Sequence, residues 1–265
     1  MASNYDYIIE KIKEACPKDG RFLDFGCGAG QVVERGLDAG LDYYGADPYA
    51  EHYSNYRDQA QRDRKAVTEK ISQIKDGVLP FPDNHFDAVS SNMVFEHVEN
   101  AEQALSEIHR VLKPGGLFLA LFPTKETWWE GHAKIYFAHW MKPHSKLQYH
   151  YLKTLKTIGI GKDNDHKTPA TWATYFQGYF VRSCFYRRMG EINALWGNAF
   201  GEKPNTHEYD YMLYRLQKSA KLSRLVPVLK NPLGKAFLVQ ACKIRAGRVL
   251  SIHKDAGHSN AAAQK

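Results

Sequence analysis

The stretch Phe22-Leu23-Asp24-Phe25-Gly26-Cys27-Gly28-Ala29-Gly30 carries the strongest chemical signal in the chain. An apolar run delivers a carboxylate, glycines follow at every second position, and a helical pattern opens directly behind them. Glycine at 26, 28 and 30 lets the backbone take positive φ and come close to a ligand. The helix that follows offers unpaired N–H groups and the positive end of its dipole to an anionic group. A second carboxylate, Asp47, closes the next apolar run, where an acid would hold the two hydroxyls of a ribose. The spacing is GxGxG with an acid two residues ahead of the first glycine, whereas the dinucleotide fingerprint is GxGxxG.

Other candidates lie further on. His97 sits in Phe95-Glu96-His97-Val98-Glu99-Asn100, and His132 closes Trp128-Trp129-Glu130-Gly131-His132. A histidine suits a general base because its proton equilibrium lies near neutrality. His132, with Glu130 two residues ahead, is the leading candidate for a base or for a residue that orients an acceptor. The competing reading is a hydrogen-bonded histidine in a packed aromatic region. The histidines at 132, 139, 144, 150 and 166 are irregularly spaced with no cysteine close by, so no metal site is expected. Cys16, Cys27, Cys184 and Cys242 form no CxxC pair and read as free thiols of a reducing compartment.

These residues need elements to position them. Residues 4–16 have apolar residues at helical spacing, stopped by Pro17 and Gly20. Strands are expected at 21–25, 43–46, 86–90 and 117–122, and helices at 31–39, 51–70 and 101–112. Lys113-Pro114-Gly115-Gly116 reads as a turn. This alternation argues for a doubly wound, mostly parallel α/β sheet. The rhythm stops at Thr124. Residues 125–207 are rich in Trp, Tyr, Phe and His and read as an aromatic lid inserted over the sheet, with Thr168-Pro169 opening a short helix that ends near Gly178. Residues 208–250 read as a C-terminal helical stretch, a turn at 231–234 and a closing strand at 236–244. The tail from 251 to 265 reads as disordered.

In four segments taken in order, the chain resembles the class I S-adenosylmethionine-dependent methyltransferases of the small-molecule, type 11-like branch. They are LDFGCGAG at 23–30, GADP at 45–48, LPFPDNHFDAVSSNMVFEHV at 79–98 and EIHRVLKPGGLFLALFP at 107–123. The resemblance implies a Rossmann-like seven-stranded sheet in which residues 1–124 form the cofactor-binding core and S-adenosylmethionine is the cofactor. It implies that Asp24 and the backbone of Gly26, Cys27, Gly28 and Gly30 surround the methionine end. Asp47 would bind the ribose hydroxyls, Pro48 would lie against the adenine, Asp76 or Leu79 would line the adenine pocket, and Asn92 and Met93 would face the sulfonium. The chain departs from the family at Ile74-Lys75-Asp76-Gly77-Val78, which leaves the adenine contact the least defined. Glu-His-Val recurs in this family with different acceptors, which favours a structural role for His97 over a catalytic one.

Composition limits the acceptor and the partners. The apolar runs are shorter than a membrane span, and the N-terminus has no signal-peptide core, so a cytoplasmic enzyme is expected. Between Lys203 and Lys254 there are eleven Lys or Arg against Glu208 and Asp210, while the whole chain has a net charge of +7. That stretch is either a solvated basic face or a contact for phosphate, anionic lipid or nucleic acid. The expected acceptor is a small molecule or glycan methylated at oxygen, since aromatic rings suit stacking on sugar or ring faces. The alternatives are a nucleic-acid methyltransferase, disfavoured by the lack of a recognised RNA-binding module, and a non-catalytic cofactor-binding protein.

Overall fold

The computed structural model describes residues 3–49, 65–163 and 168–256. The first element is helix α1 (Asn4–Ala15), whose N-cap Ser3 and Asp6 form a reciprocal capping box and whose Tyr7, Ile8, Ile9 and Ile12 are buried. Then follow β1 (Arg21–Phe25), α2 (Gln31–Asp38), β2 (Asp42–Asp47), α3 (Lys65–Glu69), β3 (Ile71–Gln73), β4 (Phe86–Asn92), α4 (Ala101–Val111) and β5 (Leu112–Phe122). The chain continues through a small hairpin, β6 (Trp129–Glu130) and β7 (Ile135–Tyr136), and helices α5 (Lys146–Thr157), α6 (Pro169–Ser183) and α7 (Met189–Phe200). Strand β8 (Asn205–Thr206), α8 (Glu208–Gln217), α9 (Pro232–Arg245) and β9 (Arg248–His253) complete it.

Seven strands form one sheet in the order β3-β2-β1-β4-β5-β9-β8. The first five are parallel, while β9 runs antiparallel to β5 and β8 antiparallel to β9. The chain winds outward from β1 through β2 to β3, then restarts on the other side of β1 with β4. The β1/β4 junction is therefore the topological switch point, where the carboxyl ends of the strands leave a crevice.

Alternation along β5 shows how both faces are covered. Leu117, Leu119 and Leu121 pack with α1, α2 and Tyr211, while Phe118, Ala120 and Phe122 pack with α4 and α7. Trp196 of α7 stacks on Phe118 with ring centroids 4.7 Å apart. Burial on both faces is what makes a parallel strand read as a continuous apolar run.

Several sequence expectations change. The third chain-order strand is Ile71–Gln73, so FDAVS belongs to the fourth. Of the helix expected at 51–70, residues 51–64 lie outside the described residues and 65–69 are helical. Lys113–Gly116 lies within β5 as a bulge, because the register jumps from Phe86↔Leu112 to Ala88↔Leu117. Helix α6 opens at Thr168-Pro169 as expected but runs past Gly178 to Ser183. Residues 236–244 are helical, not the closing strand. Asn231 caps α9 by accepting from the Gly234 N–H, Pro232 takes its first turn, and Leu238 and Cys242 bury one helical face. The closing strand is β9, which includes residues 251–253 of the tail expected to be disordered; Lys254 donates to Asn84, the His109 carbonyl and the Leu112 carbonyl, and 257–265 lie outside the described residues.

Residues 189–206, read from the sequence as part of the insertion, contribute α7 and β8 to the sheet layers. The preceding segment has its own core of Ile135, Leu152, Trp172, Phe176 and Phe180. It is fastened to the end of β4. The Phe185 N–H donates to the Glu96 carbonyl at 2.6 Å, and the Arg187 guanidinium donates to the carbonyls of Phe95, Val98 and Glu99.

Candidate active site

The switch point opens into a cleft of about 1010 Å³. Its floor is the turn after β1. Gly26, Gly28 and Gly30 all have positive φ, at 75°, 51° and 77°. Their roles differ. A Cβ at Gly26 would stand 2.4 Å from Val94, and one at Gly30 would meet Val67 and Ile71 at 2.7 Å, so these two glycines serve close packing. A Cβ at Gly28 would meet no atom within 4 Å. Gly28 is thus the position that keeps the cleft open for a ligand.

Two buried carboxylates stand beside this turn. Asp24 accepts from the Ser90 hydroxyl at 2.9 Å, and Ser90 in turn shares a hydrogen bond with the Tyr43 hydroxyl. Burial pushes the Asp24 carboxyl up to about 7; the neighbouring charge of Asp47 adds to the rise and the Ser90 hydrogen bond opposes it. Asp47 accepts the Gly28 N–H on one oxygen and the Tyr49 N–H on the other, each at 2.9 Å. Burial raises its pKa too, against those two bonds. A cation beside two carboxyl groups held out of water in this way favours their ionised forms.

The facing wall is formed where the insertion meets the turn after β4. His132 and His97 approach Nε2 to Nε2 at 3.1 Å. His97 Nδ1 meets the Ser183 carbonyl, which can only accept, so that nitrogen carries the proton. His132 Nδ1 lies 2.6 Å from the Glu130 carboxylate. Glu130 is fully buried and also accepts from the Tyr186 hydroxyl at 2.8 Å and the Ala133 N–H at 2.6 Å. Burial alone would raise Glu130, yet these donors hold it below its ordinary value. Both Nδ1 atoms therefore keep their protons, and the two Nε2 lone pairs point at one another. Such a pair binds a proton between its rings. Burial lowers the proton affinity of His132, but the hydrogen bond and charge of Glu130, with Glu96 behind, raise it above the ordinary histidine value. Glu96 is 2% exposed, has one carboxylate oxygen without a partner, and is pushed up to about 8 by burial.

The cleft brings together most of the residues singled out in the sequence. Asp24, Gly26, Cys27, Gly28, Asp47, Pro48, Asp76, Asn92, Met93, His97 and His132 all line it. Three others stand outside. Leu79 is buried in the core, its N–H donating to Glu107 and its carbonyl accepting from Arg110. Gly30 lies behind the turn as the N-cap of α2. Glu130 reaches the site only through His132. Sequence reasoning missed Tyr179, whose ring lies 5.1 Å from that of His132 and which lines the cleft. It also missed Glu96, Tyr186 and Asn4, which donates to Asn92 at 3.1 Å. Among the described residues, the His, Cys, Asp and Glu cluster with metal-like spacing is Glu96, His97 and His132, with one ligand atom from each within 4.8 Å of the others. His139 is buried apart from it and pushed down to about 4 by burial, and His166 lies outside the described residues.

Trp128, Trp129, Tyr136, Phe137 and Trp140, rings of the expected aromatic lid, are not on the cleft. They pack tilted or edge-on against one another, with Trp128, Tyr136 and Trp140 left 39–46% exposed.

An open sheet in this order, with an acid-flanked glycine turn at its switch point, is a Rossmann-like fold for a nucleoside-bearing cofactor. Residues 23–120 match the family model described as a methyltransferase domain. Over these residues, a little over a third of its length, the chain is similar to methyltransferase domains, and S-adenosylmethionine is the cofactor that the similarity implies. An uncharacterized methyltransferase of Schizosaccharomyces pombe is 31% identical over 122 residues, 42% of this chain and 41% of the relative. A sterol 24-C-methyltransferase of Pneumocystis carinii is 34% identical over 99 residues, covering 36% of this chain and 26% of the relative. A demethylmenaquinone methyltransferase of Symbiobacterium thermophilum is 35% identical over 111 residues, 39% and 42% of the two chains. The chain spans less than half the length of each of these curated relatives. The residues present fit the cofactor. The open position at Gly28 leaves room against the turn, Asp24 and Asp47 suit its cationic and hydroxyl groups, and the cleft is at the top of the roughly 300–1,000 Å³ range of ligand pockets.

Proposed function

We propose that this protein transfers the methyl group of S-adenosylmethionine to a ring-bearing small molecule, at an oxygen. The observation that carries the reading is that the glycine turn and the His97–His132 pair line the same cleft. The cofactor, when bound, supplies a methyl group made electrophilic by its sulfonium. Asp24 and the Gly28 turn hold the methionine end, and Asp47 takes the ribose hydroxyls. Asp76, Ile74 and Gln103 line the adenine side. Tyr179 offers a flat apolar face to the acceptor beside the two histidines. As the acceptor oxygen gives a lone pair to the methyl carbon, His132 Nε2 takes the hydroxyl proton and shares it with His97 Nε2. The Glu130 carboxylate stabilises the resulting imidazolium. The former methyl–sulfur bonding pair stays on sulfur.

A glycan acceptor has less support, because the tryptophans that would stack on a sugar lie off the cleft. The four free cysteines fit the cytoplasm. The test uses S-adenosylmethionine with a labelled methyl group, phenols, quinols and glycans as acceptors, and calorimetry with S-adenosylhomocysteine. His132→Ala should cut label transfer at least about a hundredfold, in line with loss of a general base, while leaving S-adenosylhomocysteine affinity nearly intact. If affinity collapses with transfer, His132 supports the fold or the cofactor pocket. If neither changes, the base lies elsewhere. Wild-type protein that fails to bind S-adenosylhomocysteine overturns the whole reading.

A further inference from the structure

The basic C-terminal stretch takes no part in the cleft, yet it has an organised shape. Between α8 and α9 the chain makes two short 3-10 turns, Ser223–Leu225 and Val228–Lys230, and folds back as a helical hairpin. Its inner side is a satellite core of Leu216, Val226 and Leu238, joined by Met212 and Leu229. The start of α9 packs so closely on this turn that a Cβ at Gly234 would stand 2.6 Å from the Leu229 backbone. The hairpin is therefore a fixed element.

Its outer side is apolar as well. Leu222 and Leu225 are 37% and 47% exposed, Val228 68%, Leu233 84% and Phe237 64%. Leu222, Leu225 and Val228 recur at every third residue along the turns, and Leu233 and Phe237 are one helical turn apart. Single exposed apolar residues are ordinary, but a contiguous group on a rigid element marks a contact surface. Among these five stand the exposed Lys221, Arg224, Lys230 and Lys235, and no acid occurs between Tyr211 and Lys254. At the far end of α9, the Trp128 N–H donates to the Ile244 carbonyl, which places the partly exposed Trp128 and Trp140 beside the same helix. Apolar anchors among cations, with tryptophan near the margin, are complementary to a bilayer surface bearing anionic headgroups. Among the described residues no helix is long and apolar enough to cross a membrane, so the element would lie in the interface and not span it.

We propose that the hairpin from Lys218 to Phe237 docks this protein on the surface of an anionic lipid bilayer. Leu222, Leu225, Val228, Leu233 and Phe237 enter the headgroup region, and Lys221, Arg224, Lys230 and Lys235 meet the lipid charges. The site is separate from methyl transfer, so it stands or falls independently of that reading.

The experiment is vesicle flotation of the full chain with phosphatidylcholine alone and with phosphatidylcholine mixed with phosphatidylglycerol. Wild-type protein should float with the anionic vesicles at low salt, lose binding as salt rises, and stay behind with the neutral ones. Leu233→Asp with Phe237→Asp should weaken binding at least about tenfold, since both anchors are lost. Both side chains point outward, so melting temperature and S-adenosylhomocysteine affinity should be unchanged. Lys221→Glu with Arg224→Glu should weaken it and flatten the salt dependence. Failure of the wild-type protein to float with anionic vesicles overturns the proposal, as does floating that the Leu233 and Phe237 changes leave intact. A dimer in sedimentation that the same double change dissolves, without vesicle binding, would assign the surface to a second copy. Binding to duplex nucleic acid without vesicle binding would assign it there.

Discussion

Asp24 allows the cofactor site to be tested without knowing the acceptor. Its carboxyl is 3% exposed, and burial pushes it up to about 7 in the ligand-free protein. S-adenosylmethionine brings a sulfonium and an ammonium, and a cation beside a carboxylate favours the ionised form. Binding should therefore drive the Asp24 proton off, and affinity should grow as pH rises through that value. With a pKa of about 7, the ionised fraction climbs from roughly one tenth at pH 6 to roughly three quarters at pH 7.5, an expected tightening of roughly eightfold. The window ends just below the usual α-amino value of about 7.7–8.0, so at pH 7.5 roughly two thirds of the ligand still carries its ammonium, which trims the expected tightening to roughly five- to sixfold. Calorimetric titration in two buffers of different ionisation enthalpy would count the released proton directly. Asp24→Asn should flatten the pH dependence and cost about 1.5–3 kcal/mol of affinity, the scale of a hydrogen bond to a charged group. His132→Ala, on the facing wall, should keep the slope. A wild-type affinity that is flat across this window, or an Asn variant that keeps both affinity and slope, would refute the reasoning.

Further outcomes follow from the same geometry. Gly26→Ala should destabilise the fold by about 1–3 kcal/mol, because a Cβ collides with Val94 at a backbone of φ 75°. Gly28→Ala should lose only about 1–2 kcal/mol of stability, through added backbone strain, yet weaken S-adenosylhomocysteine binding at least about tenfold, having filled the open position; thermal melting and calorimetry on the two variants separate the cases. Glu130→Gln should destabilise the protein by about 1–3 kcal/mol in urea titration, because an amide nitrogen replaces one acceptor of a buried group that takes bonds from His132, Tyr186 and Ala133. The base must be neutral to work, so methyl transfer should rise with pH through the elevated His132 value. Removing the Glu130 charge should move that rise to lower pH, a shift read from the pH profile of turnover with Glu96, Tyr186 and Lys162, whose charge lowers the His132 value, left in place.

The local grammar of the chain was legible wherever the cause was local. Asp24 and the three glycines announce a strand, a turn at positive φ and a helix, because only glycine takes those backbone angles without strain. The four βα segments imply the parallel sheet and hence the place of the crevice. The signal for α9 was also local but was outweighed. Ala236–Ile244 is apolar enough to read as a buried strand, while the cap Asn231 and first-turn Pro232 already marked a helix start. The bulge at Lys113–Gly116 could be seen as glycine and proline but not as part of a strand, since register is set by the partner strand. The exposed row from Leu222 to Phe237 could not be told from core in the sequence, because periodicity shows that a face is apolar and not whether anything covers it. The histidine pair belongs wholly to the tertiary structure. His97 and His132 come from the turn after β4 and from the insertion, meet because Arg187 and Phe185 fasten the insertion to the end of β4, and have their tautomers set by the Ser183 carbonyl and the buried Glu130. A sequence states which side chains can carry a proton, but their approach to 3.1 Å depends on packing between distant segments, which only the folded chain decides.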